Sequence, residues 1–142
     1  MTIFRFFWVL MVGTMLFLRP VAAKPSAPTI AWQTSWEVAQ NTSRKTGKPI
    51  FIYFHAAWCG PCRNLDKMVW SDARVVRASR AWVPFKADLD TQTDLATRFD
   101  VKTPPMVVFL DKKMEKVSSL LGYNDAPTMI KAMQSAAHQI KN

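Results

Sequence analysis

Cysteine and histidine are scarce in this chain. Its 142 residues include two of each. Two cysteines cannot build a framework of several disulfides, and a tetrahedral zinc site would have to recruit both histidines, His55 and His138, as well. Glycine is limited to four residues and no period recurs, which excludes collagen-like chains and solenoid arrays. No apolar stretch reaches the roughly 20 residues that a membrane-spanning helix needs. The longest, residues 6–18, runs to about 13. Acidic residues are few, 10 against 19 basic. No nucleic-acid-binding motif accompanies that excess, so nucleic acid is not an expected partner. The length suits one domain and is too short for two good cores.

The apolar stretch has its own logic. Arg5 gives a short positive start, residues 6–18 are apolar or small, and Val21-Ala22-Ala23 is a small-residue cleavage pattern. That layout predicts a secretory signal peptide over 1–23 and a protein exported to the periplasm or an equivalent compartment, or held at the membrane if the segment is not removed. Loss of Arg5 and Arg19 leaves 17 basic and 10 acidic residues, a net +7. Such a charge favours acidic partners or anionic membrane surfaces. Arg74, Arg77 and Arg80 recur along one side of an expected helix, where a solvated face explains them.

Residues 24–33 carry two prolines and little periodicity, which predicts a mobile lead-in ahead of a domain over 34–142. Thr34 with Glu37 fits a capping box for a helix reaching about residue 46, where Gly47-Lys48-Pro49 ends it. Residues 50–55 (IFIYFH) read as a strand buried on both faces. Helical sequence resumes at Cys62, and Ser71-Asp72 restarts it over 73–80. A second strand follows over 82–87, then a helix to about residue 99 opening near Thr91. Strands are expected over 106–110 and 116–120. A final helix is capped by Asn124 or Asp125, with Pro127 in its first turn. Strands linked by helices pair in parallel, whereas the last two, joined by a short turn, must be antiparallel. The expected class is α/β, a mixed central sheet with helices on both faces.

Both cysteines fall in Trp58-Cys59-Gly60-Pro61-Cys62, at a strand-to-helix junction. A bond between them closes a loop too small to constrain the unfolded chain much, so a structural staple is a poor explanation. A redox couple is a better one. Cys59 at a helix N-terminus meets free backbone N–H groups and the positive end of the helix dipole, which favour the thiolate, the attacking form. Cys62, one turn on, can resolve a mixed disulfide. Gly60 and Pro61 allow the tight turn, and Arg63 adds a cation. The same thiols with a methionine are a conceivable copper site. Of the methionines after the signal, Met68, Met106, Met114, Met129 and Met133, none cluster in sequence, and those on the last helix suit core packing.

AAWCGPC after a buried apolar strand resembles the active site of the thioredoxin superfamily, and the resemblance extends over roughly 35–139. It implies the thioredoxin fold, with Val101-Lys102-Thr103-Pro104-Pro105 as the loop whose cis residue is Pro105. It further implies a lysine, Lys86, near the buried side of the thiols. Gly47-Lys48-Pro49, the stretch from Ser71 to Val76 and the double proline are most similar to the C-terminal periplasmic domain of the DsbD family and its stand-alone relatives. The chain departs from the superfamily at two places. Tyr53 stands where a buried acid usually assists the second thiol, and a phenol titrating near 10 is a poor base at neutral pH. His55 replaces a common tryptophan.

The resemblance therefore implies a protein-disulfide oxidoreductase needing no cofactor, with Cys59 attacking, Cys62 resolving, and Trp58, Gly60, Pro61, Pro105 and Lys86 in support. Gly-Pro between the cysteines resembles the reducing members. A reductase in an oxidising compartment draws its electrons from a membrane donor and passes them to protein disulfides. A monomer is expected.

Overall fold

A computed structural model describes residues 27–141. The expected signal segment lies outside them. The elements run α1 (Trp36–Thr46), β1 (Ile50–His55), α2 (Gly60–Met68), α3 (Ala73–Ser79), β2 (Val83–Asp88), α4 (Thr93–Arg98), β3 (Met106–Leu110), β4 (Lys116–Leu121) and α5 (Ala126–Lys141). The four strands form one sheet in the order β2-β1-β3-β4. β1 pairs in parallel with β2 and antiparallel with β3, and β3 pairs antiparallel with β4. The expected mixed sheet is therefore present.

Side-chain alternation along β1 divides the core in two. Phe51 and Tyr53 face one layer, with Leu65 of α2, Val75 and Val76 of α3, and Met129 and Met133 of α5. Ile50, Ile52 and Phe54 face the other, with Ala39 of α1 and Leu95 and Ala96 of α4. Helices thus cover both faces, and β1 is buried from Ile50 to Phe54. Phe51 stacks on Trp70 with ring centroids 5.6 Å apart. Tyr53 lies 5.2 Å from the same indole.

The helix ends follow local chemistry, with some shifts from the sequence expectation. Ser35, not Thr34, caps α1, its hydroxyl accepting from the Val38 N–H. A cap at Ser35 makes Val38 the third helical residue, so Glu37 cannot close the capping box. Gly47 ends α1 in the left-handed region, φ 67°, its N–H donating to the Ser43 carbonyl. The helical stretch after the cysteines is two helices, and Asp72 caps the second through the Arg74 N–H. Arg74 bonds the same carboxylate, which holds Asp72 at about 2. α4 starts after Gln92 with no side-chain cap, so Thr91 does not serve as one. Asp125 caps α5 through the Thr128 N–H. Asn124 instead donates to the carbonyls of Leu121 and Gly122.

The lead-in is the main correction. Its end is packed rather than mobile. Ile30 is 6% exposed within the core. Trp32 sets its ring 5.3 Å from Trp70, nearly perpendicular to it. Gln33 bridges in parallel to Phe85, its N–H donating to the Pro84 carbonyl at 2.9 Å. The segment therefore covers the outer edge of β2, which limits strand pairing there. Ile30→Ala should lower the stability of the fold by about 2–4 kcal/mol in urea unfolding. A change below about 0.5 kcal/mol would return the segment to the status of a loose tail.

Candidate active site

The site forms where β1 hands over to α2. β1 ends at His55, and Cys59 caps α2 in extended conformation, φ −81° and ψ 104°. Gly60 and Pro61 make the first helical turn, so the helix begins two residues earlier than the sequence predicted. Proline is at home there because its missing N–H has no intrahelical partner anyway. The Cys59 sulfur accepts from the Cys62 N–H at 3.2 Å. This is the bond by which a helix N-terminus stabilises negative charge on sulfur once the disulfide is reduced. In the structure the two sulfurs are joined at 2.06 Å, with the Cα atoms 5.3 Å apart. Cys59 is 3% exposed and Cys62 2%.

The surroundings are asymmetric. Trp58 stands 61% exposed beside the pair. Its indole N–H donates to the Asp90 carboxylate at 3.0 and 3.3 Å, which fixes the ring. Arg63 turns back to the Ala57 carbonyl at 3.2 Å. The Pro104–Pro105 bond is cis. Phe54 pairs with Met106, so Pro105 comes to the end of the sheet that carries the cysteines. The Pro105 carbonyl accepts from the Gly122 N–H at 2.8 Å, which pins the loop to the end of β4.

Beneath the cysteines lies a polar group in which the sequence pointed to Tyr53 and Lys86 but not to Asp66. Tyr53 is fully buried and donates its hydroxyl to the Cys62 carbonyl at 3.2 Å. Burial, with the Asp66 carboxylate adding to it, pushes its phenol well above the ordinary range. It stays protonated and acts as a donor, not a base. Lys86, opposite Tyr53 in the β1–β2 register, lies 5.4 Å from the Tyr53 ring centroid. Its ammonium pairs with Asp66 at 2.9 Å. The pair is partly exposed, so it adds at most about 1 kcal/mol to stability. Its importance is local charge. Asp66 follows Cys62 by four residues, one turn along α2, so both lie on the same face of that helix. That spacing was visible in the sequence, but its pairing with a lysine 20 residues away was not.

His55 sits half-buried at the rim, 5.7 Å from the Tyr53 ring. Burial first, and Lys86 second, lower its imidazole from the ordinary 6.5, while Asp88 and Asp66 act the other way. Among the described residues, no group of three or more His, Cys, Asp or Glu side chains converges on one point. Met129 and Met133 are buried in one layer and Met114 in the other, and Met68 is exposed.

A cysteine pair at the strand-to-helix junction of a four-stranded mixed sheet, with a cis-proline at the same end, defines the thioredoxin fold. Comparison with known proteins agrees. The family model described as Thioredoxin-like matches residues 31–112. The chain belongs to that family. It is 25% identical over 131 residues to a thiol:disulfide interchange protein DsbD of Campylobacter jejuni, an alignment that covers 86% of this chain and 23% of that one. The chain thus spans about a quarter of the length of that relative. Mouse mitochondrial thioredoxin is 37% identical over 82 residues, 54% of this chain and 45% of the other. Among solved structures, a thioredoxin from Thermus thermophilus superposes with a TM-score of 0.72 at 26% identity, covering 79% of this chain and 90% of that one. The oxidised C-terminal domain of Neisseria meningitidis DsbD gives 0.64 at 20% identity, over 70% and 90%, and bears on the fold alone.

The charges around His55 make a signed prediction. Its imidazole is harder to protonate folded than unfolded, so this contribution to stability is complete above about 6.5 and is lost as pH falls through the lowered folded value. His55→Gln should flatten the stability curve between about 6.5 and that lowered value. Lys86→Met should raise the His55 titration midpoint in an NMR titration, and Asp66→Asn should lower it. An unmoved midpoint in both variants would disprove the electrostatic contact.

Proposed function

We propose that this chain is an exported thiol–disulfide oxidoreductase that works as a reductase on disulfides of other exported proteins. The observation that carries the reading is Cys59 at the N-cap of α2, with its sulfur on the Cys62 N–H and its partner sulfur one turn away. Reduced, Cys59 is the attacking thiolate. It attacks one sulfur of a substrate disulfide, forms a mixed disulfide and expels the other substrate sulfur as a thiolate. Cys62, deprotonated, then attacks the Cys59 sulfur. The substrate leaves as a dithiol, and Cys59–Cys62 becomes the disulfide seen in the structure. Two electrons pass from the chain to its substrate.

The supporting residues have separable tasks in this scheme. Gly60 and Pro61 shape the turn that holds Cys59 at the helix end. Trp58, braced by Asp90, offers an apolar face beside the pair. Pro105 ends the loop against which an extended substrate segment would lie. Lys86 with Asp66 sets the charge beneath Cys62. Relatives named as thiol:disulfide interchange proteins and thioredoxins support exchange as the class of reaction. Export rests on the sequence of residues 1–23 and on the periplasmic DsbD likeness. No helix among the described residues is long and apolar enough to cross a membrane. Continued reduction in an oxidising compartment requires a membrane protein that returns electrons to the pair, and the chain acts as a monomer.

Cys62→Ser should arrest the reaction at the mixed disulfide. Expressed in its own cells, this variant should accumulate adducts with exported proteins that dithiothreitol dissolves. The Cys59→Ser, Cys62→Ser double variant should show none. A Cys62→Ser variant that traps no partner would contradict a physiological role in exchange.

A further inference from the structure

The end of the molecule opposite the cysteines has a distinct character. β1 and β2 begin there and β3 ends there, as the pairing of Ile50 with Val83 and Leu110 requires, α1 finishes just before β1, and the end of α5 shares a cleft with Lys48 and Pro49. The exposed basic side chains at this pole are Lys45, Lys48, Arg80, Lys112, Lys113 and Lys141, with Lys48 also donating to the Arg80 carbonyl at 2.8 Å. Asp111 and Glu115 are the acidic residues of the turn between β3 and β4. One Asp111 oxygen is already engaged by the N–H groups of Lys113 and Glu115. Basic residues at helix C-termini have an ordinary explanation in the helix dipole. Lys112 and Lys113 do not share it, because they occupy a strand-to-strand turn. Two clefts open between these cations. One, of about 490 Å³, has Pro49, Ala81, Ala137 and Ile140 on its walls and Lys48, Lys112 and Lys141 at its rim. The other, of about 270 Å³, lies between Lys48 and Arg80 and is bounded by Thr29 and Ala31.

The second cleft reveals where the chain enters. Residues 29–33 run parallel to β2, so Thr29 lies at the basic pole and Gln33 further toward the cysteines. The described residues therefore begin at this same end. Basic side chains and apolar-walled clefts converge on one pole.

We infer that this pole docks on an anionic phospholipid surface, with phosphate headgroups seated among Lys48, Lys112, Lys113 and Lys141. In that pose the strands stand off the surface, and the cysteines are held roughly 20 Å away, the length of a six-residue strand, facing soluble proteins. The inference depends on the charge and direction of the fold and not on thiol chemistry. Its failure would leave the proposed reaction untouched.

The test is sedimentation of the full chain with vesicles of phosphatidylcholine alone and of phosphatidylcholine mixed with phosphatidylglycerol. The apolar stretch contributes to both and sets the baseline, and Arg5, Arg19 and Lys24 favour the anionic vesicles equally in every variant, so the change in the ratio between variants reads the pole. Each lysine near an anionic surface is worth about fivefold in affinity. Joint Lys112→Glu, Lys113→Glu and Lys141→Glu should lower the ratio at least about a hundredfold. Lys67→Glu, Lys102→Glu and Lys131→Glu, the same charge change elsewhere, should leave most of it. An unchanged rate of Cys59 alkylation in the reduced Lys112, Lys113, Lys141 variant confirms that it is folded. If the triple variant fails that check, Lys112→Gln with Lys113→Gln, confined to an exposed turn, should still lower the ratio about 25-fold. Equal binding to both vesicle types, or an equal loss in the control variant, overturns the inference.

Discussion

Strand β1 is hydrogen-bonded on both edges and covered on both faces, and the position of the cysteines depends on it. Ile50, Phe51, Ile52, Tyr53 and Phe54 are all fully buried. A one-residue slip would exchange Phe51 and Tyr53 with Ile50, Ile52 and Phe54 across the sheet and break both core layers at once. The register is accordingly strongly specified. Because it is, the end of β1 is fixed, and the four residues after His55 deliver Cys59 to the start of α2. Leu65 and Val69 then anchor that helix in the same layer as Phe51 and Tyr53.

The same strand supplies the chemistry beneath the pair. Burial keeps Tyr53 protonated, and its hydroxyl donates to the Cys62 carbonyl. The charge on this side of the sheet is the ion pair of Asp66 and Lys86, drawn from α2 and β2. An acid drawn from the helix with the second cysteine, instead of from the strand before the first, leaves the buried run Ile50–Phe54 uncharged. A buried carboxylate on β1 would need its own partner and would carry a desolvation cost.

Much of this was legible in the sequence where the cause was local. The apolar run of residues 50–55 announces a strand covered on both faces, Gly47 and Pro49 end α1, and Pro105 stands where the cis bond is found. What was illegible has non-local causes. Ile30 and Trp32 sit in a proline-bearing stretch without periodicity, and only the aromatic cluster of Phe51, Tyr53 and Trp70 on the folded sheet gives them a place. Asp90 bracing Trp58 and Asp66 pairing with Lys86 join residues 32 and 20 positions apart. Ser35, not Thr34, takes the extended backbone of a cap, φ −151° and ψ 164°, a choice that adjacent hydroxyl residues do not encode.

The account rests on the direction in which the cysteine pair passes electrons. Equilibrating the purified protein with glutathione or dithiothreitol buffers and measuring the fraction of the Cys59–Cys62 disulfide gives its reduction potential. A reductase predicts a value near the roughly −270 mV of thioredoxin. A value near the roughly −120 mV of the oxidant DsbA would contradict it and make the pair a donor of disulfides.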